Sequence, residues 1–262
     1  METLHGDTTG LKSAQHKELR ALYRRRVPPT QFVHPQLARR LTELSKWTGR
    51  RIGLMVDRRG TIDSVIVGDA HRVFLPDVGP RRAGANRLRG LRLIHTTFRP
   101  EGLTDDDVTD LTLLQLDAVL SLHVRSDGLP GVVHWAHLLP PDADAPVRHE
   151  QAEHITEVDD DFIVFIDDLE DQFGSSPALA RIDGQEAAIL IGVTEGNLED
   201  AQRSLTELTR LAQTAGLHVE GTELQRRDAI DGRTFIGKGK LQDLVVRSMQ
   251  TGAEVLIFDG EL

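Results

Sequence analysis

The segment from Gln185 to Leu262 most limits what this chain can fold into, because apolar runs and helical stretches alternate along it. Ala187 to Val193 is a buried-type strand. Asn197 N-caps a helix through about Ala215, Gly216 stops it, and Leu217-His-Val-Glu-Gly221 starts the next strand. Phe235-Ile236 leads through Gly237 into a helix over about Lys240 to Gln250, Gly252 ends that helix, and Val255 to Phe258 is a third buried strand. Strand, helix, strand, loop, helix, strand predicts a small three-layer parallel α/β domain. Parallel neighbours need crossover connections, and these are right-handed.

The preceding residues read differently. Leu37, Leu41 and Leu44 recur at helical spacing up to Trp47. Ile52 to Val56, Asp57-Arg58-Arg59-Gly60 and Ile62 to Val67 make a strand, a tight turn and a strand. His71 to Leu75 is expected as a third strand, Gly79 to Arg89 as a loop and Arg92 to His95 as a short strand. Thr104 N-caps a helix whose first turn holds Asp105, Asp106 and Asp107, where the helix dipole favours negative charge; the helix is expected to reach about Leu122. Gly131 to Leu139 is a last strand. Pro140 to Arg148 then reads as a linker, followed by an acidic amphipathic helix over Val158 to Phe173 that breaks at Gly174-Ser175-Ser176-Pro177. The expected organisation is a basic arm over 1–30, a mixed α+β domain over 31–141, an acidic Pro/Gly linker with a helix over 142–184, and the parallel α/β domain over 185–262.

Charge divides along the same lines. The net charge of −10 argues against coating nucleic acid by bulk electrostatics. Yet the first sixty residues carry Arg24-Arg25-Arg26, Arg39-Arg40, Arg50-Arg51 and Arg58-Arg59, and Asp142 to Asp171 is strongly acidic. There is no cysteine, hence no disulfide and no thiolate ligand or nucleophile. No apolar run approaches the ~18–20 residues that span a bilayer, and the N-terminus lacks the order of a secretory signal. A cytoplasmic location is expected.

Chemistry concentrates near the C-terminus. Gly237 and Gly239 bring backbone N–H groups to a helix start, with Lys238 and Lys240 adding charge, an arrangement able to hold phosphate. Arg226 and Arg227 close a strand at the edge where ligands of parallel sheets collect. The plain structural alternative is a glycine-eased turn with solvated charges. The ordered combination Ala188-Ile-Leu-Ile-Gly192-Val, Ala215-Gly216, Val219-Glu-Gly221, Gln225-Arg226-Arg227-Asp228, Phe235-Ile-Gly237-Lys-Gly239-Lys240 and Ile257-Phe-Asp259-Gly-Glu261-Leu262 resembles the N-terminal α/β domain of the HflX family. That resemblance implies a ribosome-associated GTPase that binds the large subunit and its rRNA, with GTP and Mg²⁺ as ligands of the full-length protein and no cofactor in this chain. The pattern G-x-x-x-x-G-K-[ST] is incomplete, since no Ser or Thr follows Lys238 or Lys240. GTP hydrolysis is therefore expected from a further domain, and the chain is expected to be a fragment without catalytic residues of its own.

The first domain carries a weaker resemblance, to a degenerate JAB/MPN (JAMM) metalloprotease. His95, Pro100 and Thr104-x-x-Asp107 fall near the His-x-His-Pro and Ser-x-x-Asp positions of that motif, which implies His95 and Asp107 as remnants of a zinc site. Thr97 stands in place of the second histidine, and no Glu occurs between Gly49 and His95 to act as base. No competent metal is expected, and a buried core histidine is the plainer reading. His123, His134 and His137 show no carboxylate partner in the sequence. The alternatives to a ribosome-binding portion are thus a JAMM-type hydrolase and a non-catalytic interaction domain.

Overall fold

The computed structural model describes residues 2–78, 88–140, 143–158, 161–175, 186–227 and 236–260. The chain divides into two units, Met1–Leu139 with Val147–Asp171, and Pro140–Pro146 with Gln172–Leu262.

The first unit holds β1 (Leu4–Gly6), α1 (Ser13–Arg20), α2 (Pro35–Thr48), β2 (Ile52–Asp57), β3 (Ile62–Val67), β4 (Leu91–Thr97), α3 (Asp105–Leu114), β5 (Ala118–Val124), β6 (Pro130–Leu138), β7 (Val147–Ala152) and most of α4 (Phe162–Ser175). Its strands form one mixed sheet in the order β1-β3-β2-β4-β5-β6-β7. The β1–β3 and β4–β5 pairs are parallel and the others antiparallel. α2 buries Leu37, Leu41 and Leu44, as their spacing requires, and Ser45 Oγ lies 2.9 Å from Thr96 Oγ1 of β4. The Asp57–Gly60 hairpin forms with Gly60 at φ +78°.

Four expectations fail in this unit. Residues 1–30, expected as a basic arm, are built into the fold: β1 joins the sheet, Leu19 and Leu22 are buried, and Arg50 donates to the carbonyls of Asp7 and Thr9 at 2.6 Å each. The linker contributes β7, an edge strand of polar residues whose ladder to β6 rests on backbone groups that composition does not reveal. Residues 71–75 form no strand; the chain is turned by Asp69 Oδ1, which accepts from His71 and Arg72 N–H, and Val73 crosses Gly53, where a Cβ would lie 2.9 Å from its Cγ1. The helix that begins at Thr104 ends at Leu114, with Gln115 left-handed at φ 51°, and Ala118–Val124 is an interior strand. A short apolar run buried on both faces has no period that separates strand from helix. The acidic helix forms as α4, starting four residues later than expected, with Phe162, Ile166 and Leu169 buried.

The second unit holds β8 (Ala187–Thr194), α5 (Leu198–Thr214), β9 (His218–Arg226), α6 (Lys238–Thr251) and β10 (Val255–Asp259), its strands all parallel in the order β10-β8-β9. Alternation along β8 sends Ala188 and Leu190 to one face, packed with Leu205 and Ala212 of α5. It sends Ile189 and Ile191 to the other, packed with Ile236 and with Leu244 of α6. The result is the expected α/β architecture, a mixed sheet followed by a three-layer parallel unit. Asn197 caps α5 through Oδ1 to the Glu199 N–H at 3.0 Å, and Gly252 ends α6 at φ 72°. β9 runs five residues beyond Gly221. The loop over Gly79–Arg89 lies almost wholly outside the described residues, as do the boundary at Gln185, Asp228, Phe235, Glu261 and Leu262.

Candidate functional site

Because the three strands of the second unit are parallel, their carboxyl ends share one edge. Thr194 pairs with Arg226, and Gly192 pairs with both Leu224 and Asp259. The Arg227 N–H donates to the Thr194 carbonyl at 2.9 Å and fixes the chain just past β9. The two helices differ at this edge. α5 has Asn197 as its cap and Glu199 and Asp200 in its first turn. α6 starts at Gly237 with no side-chain cap hydrogen bond and no acidic residue in its first turn, so among the described residues no side chain caps its N–H groups or offsets its dipole from that turn.

Arg227 lies beside that bare helix start: a Cβ on Gly237 would be 3.8 Å from its Nη2. Its Nη1 is buried with no hydrogen-bond partner among the described residues, as is Oε1 of Gln225. Arg226 is exposed. Lys240 does not reach the same point, since its Nζ donates to Glu223 Oε2 at 3.0 Å while Arg247 pairs with the other carboxylate oxygen. Gly239 faces open space, so nothing steric requires glycine there, and the Lys238 side chain lies outside the described residues. The structure thus brings Arg227 to the Gly237 helix start and commits Lys240 elsewhere.

Glu223 is the residue that sequence reasoning missed. Strand alternation was the available signal, placing it on the same face as Gly221 and Gln225. Gly221 leaves the room that the pair needs, because a Cβ there would sit 2.7 Å from Arg247 Nη2.

In the first unit, His95 and Asp107 do meet. His95 is 1% exposed, and its Nε2 lies 3.1 Å from Asp107 Oδ1, close but out of line for a hydrogen bond. Thr104 and Asp107 cap α3 reciprocally, the Thr104 N–H and hydroxyl each donating to Asp107 Oδ2 at 2.8 Å. Burial works against the Asp107 carboxylate, yet neighbouring His95 and the Thr104 donors hold its pKa well below the usual range. Two residues do not make a metal centre. Among the described residues no group of three or more His, Asp or Glu is placed to hold a metal ion.

The other histidines are accounted for locally. His134 Nε2 lies 3.0 Å from the Pro100 carbonyl oxygen. His123 folds against Gly131, where a Cβ would lie 2.7 Å from its Nδ1. His137 is buried, its ring edge-on to Phe165 at 4.8 Å.

Comparison with known proteins bears on the second unit. Residues 202–262 match the family described as GTP-binding GTPase N-terminal. The GTPase HflX of Alkalihalophilus pseudofirmus is 42% identical over 79 residues, 29% of this chain and 18% of that protein. The chain carries an HflX-family N-terminal part. The GTPase HflX of Lacrimispora saccharolytica is 37% identical over 78 residues, and that of Caldanaerobacter subterraneus subsp. tengcongensis 35% over 78. Each alignment takes in 30% of this chain and 18% of the relative, so the chain spans under a fifth of the length of these HflX proteins. No described helix is long and apolar enough to cross a membrane.

Proposed function

We propose that this chain is the N-terminal, ribosome-binding portion of an HflX-type GTP-binding protein that works in the cytoplasm on the large ribosomal subunit. GTP and Mg²⁺ belong to a domain other than the two units described. The observation that carries the reading is the carboxyl edge of the HflX-like unit, where exposed Arg226 ends β9 and Arg227, its buried Nη1 without a partner among the described residues, lies beside the start of α6, which has no side-chain cap hydrogen bond. Helix-start N–H groups and guanidinium forks suit the phosphates of rRNA, which Arg can grip through two parallel hydrogen bonds. Lys240 contributes less, because its Nζ is tied to Glu223, a carboxylate it shares with Arg247.

The test is a salt titration of binding to isolated large subunits. Replacing Arg226 and Arg227 together with Ala should cut affinity about tenfold and reduce the slope of log K against log salt by about two, near one per lost phosphate contact. Lys240→Ala should change neither by much. An unchanged slope in the double variant, with loss instead on neutralising Arg24, Arg25 and Arg26, would remove this edge from the interface.

A further inference from the structure

Two arginines held largely out of solvent in the first unit are provided for. Arg58 reaches the carboxylates of Asp117 and Glu170. Arg92 donates to the carbonyls of Phe32, Asp57 and Gln31 and stacks 4.0 Å over the Phe162 ring.

Arg51, immediately before β2, has neither provision. It is 3% exposed, its Nε is buried with no partner, and among the described residues its guanidinium makes no hydrogen bond or ion pair. Asp107 and Asp69 attract it from a distance and Arg99 repels it. Both acids are already engaged, Asp107 by Thr104 and His95, Asp69 by the His71 and Arg72 N–H groups. A water molecule would satisfy the Arg51 hydrogen bonds but not its charge, and a buried charge without a counter-charge is costly.

The surroundings have the layout of a ligand site. β4 and β5 are parallel and joined through α3, and ligands of such α/β units bind outside the carboxyl ends of the strands. Gly53 pairs with His95, His95 with Ser121, and Thr97 with His123. The period of two along each strand therefore sets Arg51 on the same sheet face as Thr97 and Ser121. Ser121 Oγ is a second buried polar atom with no hydrogen-bond partner among the described residues. Exposed Arg99 follows β4 directly, its N–H tied to Thr97 Oγ1 at 3.2 Å.

We propose that the carboxyl end of the β4–β5 pair binds a small oxyanion, the carboxylate or phosphate group of a ligand, gripped by Arg51 and Arg99. A guanidinium fork matches both groups in geometry, and the anion supplies a counter-charge in direct contact with Arg51, which Asp107 and Asp69 do not. This site is independent of the reading of the HflX-like unit, since it lies wholly in the first unit.

Both tryptophans, Trp47 and Trp135, lie in the first unit, so fluorescence-monitored unfolding of the full chain reports on this unit. Sodium phosphate and sodium acetate are titrated separately against sodium chloride at constant ionic strength. At least one should raise Tm saturably, by about 5 °C at a hundredfold excess over Kd. A response to phosphate alone assigns a tetrahedral group, and a response to acetate alone a planar one. Arg51→Met should abolish the response while leaving the anion-free Tm equal or higher, because an apolar side chain replaces an unpaired buried charge. Comparison with that variant also removes the general stabilisation by excluded salts. Arg99→Glu, at an exposed position, should abolish the response by placing a tethered carboxylate beside Arg51, and it decides the matter if Arg51→Met does not fold. Indifference to both anions, or a response in Arg99→Glu equal to that of the unsubstituted chain, would overturn the proposal.

Discussion

Arg58 holds Asp117 through two hydrogen bonds, Nε to Oδ2 at 2.7 Å and Nη2 to Oδ1 at 3.0 Å. The same Nη2 reaches Glu170 of α4 at 2.6 Å, and Asp117 Oδ1 also accepts from the Gly90 N–H at 2.9 Å. One guanidinium thus ties the β2–β3 turn, the entrance to β5 and α4 together. The Asp117 side chain is 1% exposed, so removing Arg58 leaves a buried carboxylate short of its counter-charge. Arg58→Ala should destabilise the first unit by about 3 kcal/mol, read as a lower urea midpoint in tryptophan fluorescence. A loss no larger than that of an exposed ion pair would deny the network this role.

Gly60 should tolerate no side chain. Its φ of +78° is left-handed, and a Cβ there would lie 1.7 Å from the Val27 carbonyl oxygen, which is backbone and cannot swing aside. Val27 N–H also donates to the Gly60 carbonyl at 3.0 Å. Gly60→Ala should therefore cost at least about 2 kcal/mol in the same unfolding assay, from strain plus displacement of residues 26 and 27. A neutral Gly60→Ala would mean that the hairpin does not dock on Val27.

His137 should make the first unit less stable in mild acid. Burial lowers its pKa from 6.5, an effect that the Leu138 carbonyl beside Nδ1 only partly offsets, while Arg148 on the neighbouring strand lowers it and Glu150 raises it. The folded state keeps the ring neutral, so the unfolded chain takes up the proton first. The stability this contributes is present above pH 6.5 and is lost as pH falls toward and through the lowered folded pKa. His137→Leu should show a smaller drop in urea midpoint between about pH 7.5 and 5.5 than the unsubstituted chain. Equal drops in the two proteins would assign the acid sensitivity to other groups.

The purified chain should not turn over GTP. Phosphoryl transfer needs a phosphate cradle, a Mg²⁺ ligand and a positioned water, and no Ser or Thr follows Lys238 or Lys240 to reach the metal. Phosphate release should stay at background in this chain and in the Lys238→Ala/Lys240→Ala variant alike. Guanine-specific turnover lost in that variant would place a catalytic site in the second unit.

Local signals carried much of this fold. Asn197, Thr104 and Gly252 punctuate helices wherever they occur, because a side-chain oxygen or a left-handed residue satisfies the chain ends through neighbours in sequence. Leu37, Leu41 and Leu44 mark a buried helix face by spacing alone. Ala118–Val124 had no such mark, since burial on both faces erases the period. β7 was hidden because a polar edge strand is held by backbone pairing with β6. His95 and Asp107 stood out in the sequence only as remnants of a motif; their contact, like the capture of Lys240 by Glu223, came from the folded chain.

The sequence by itself determined the alternating parallel unit with its HflX likeness, the basic residues at the end of β9 and the capped start of α3, because each depends on residues close together in the chain. Only the tertiary structure decided which charges are spent. Lys240 and Arg58 found carboxylates 17 and 59 positions away, whereas Nε of Arg51 and Nη1 of Arg227 were buried without partners among the described residues. Those outcomes depend on which strands lie side by side and how far water is excluded between them, and charge pairing in a low-dielectric interior follows distance in space rather than distance along the chain.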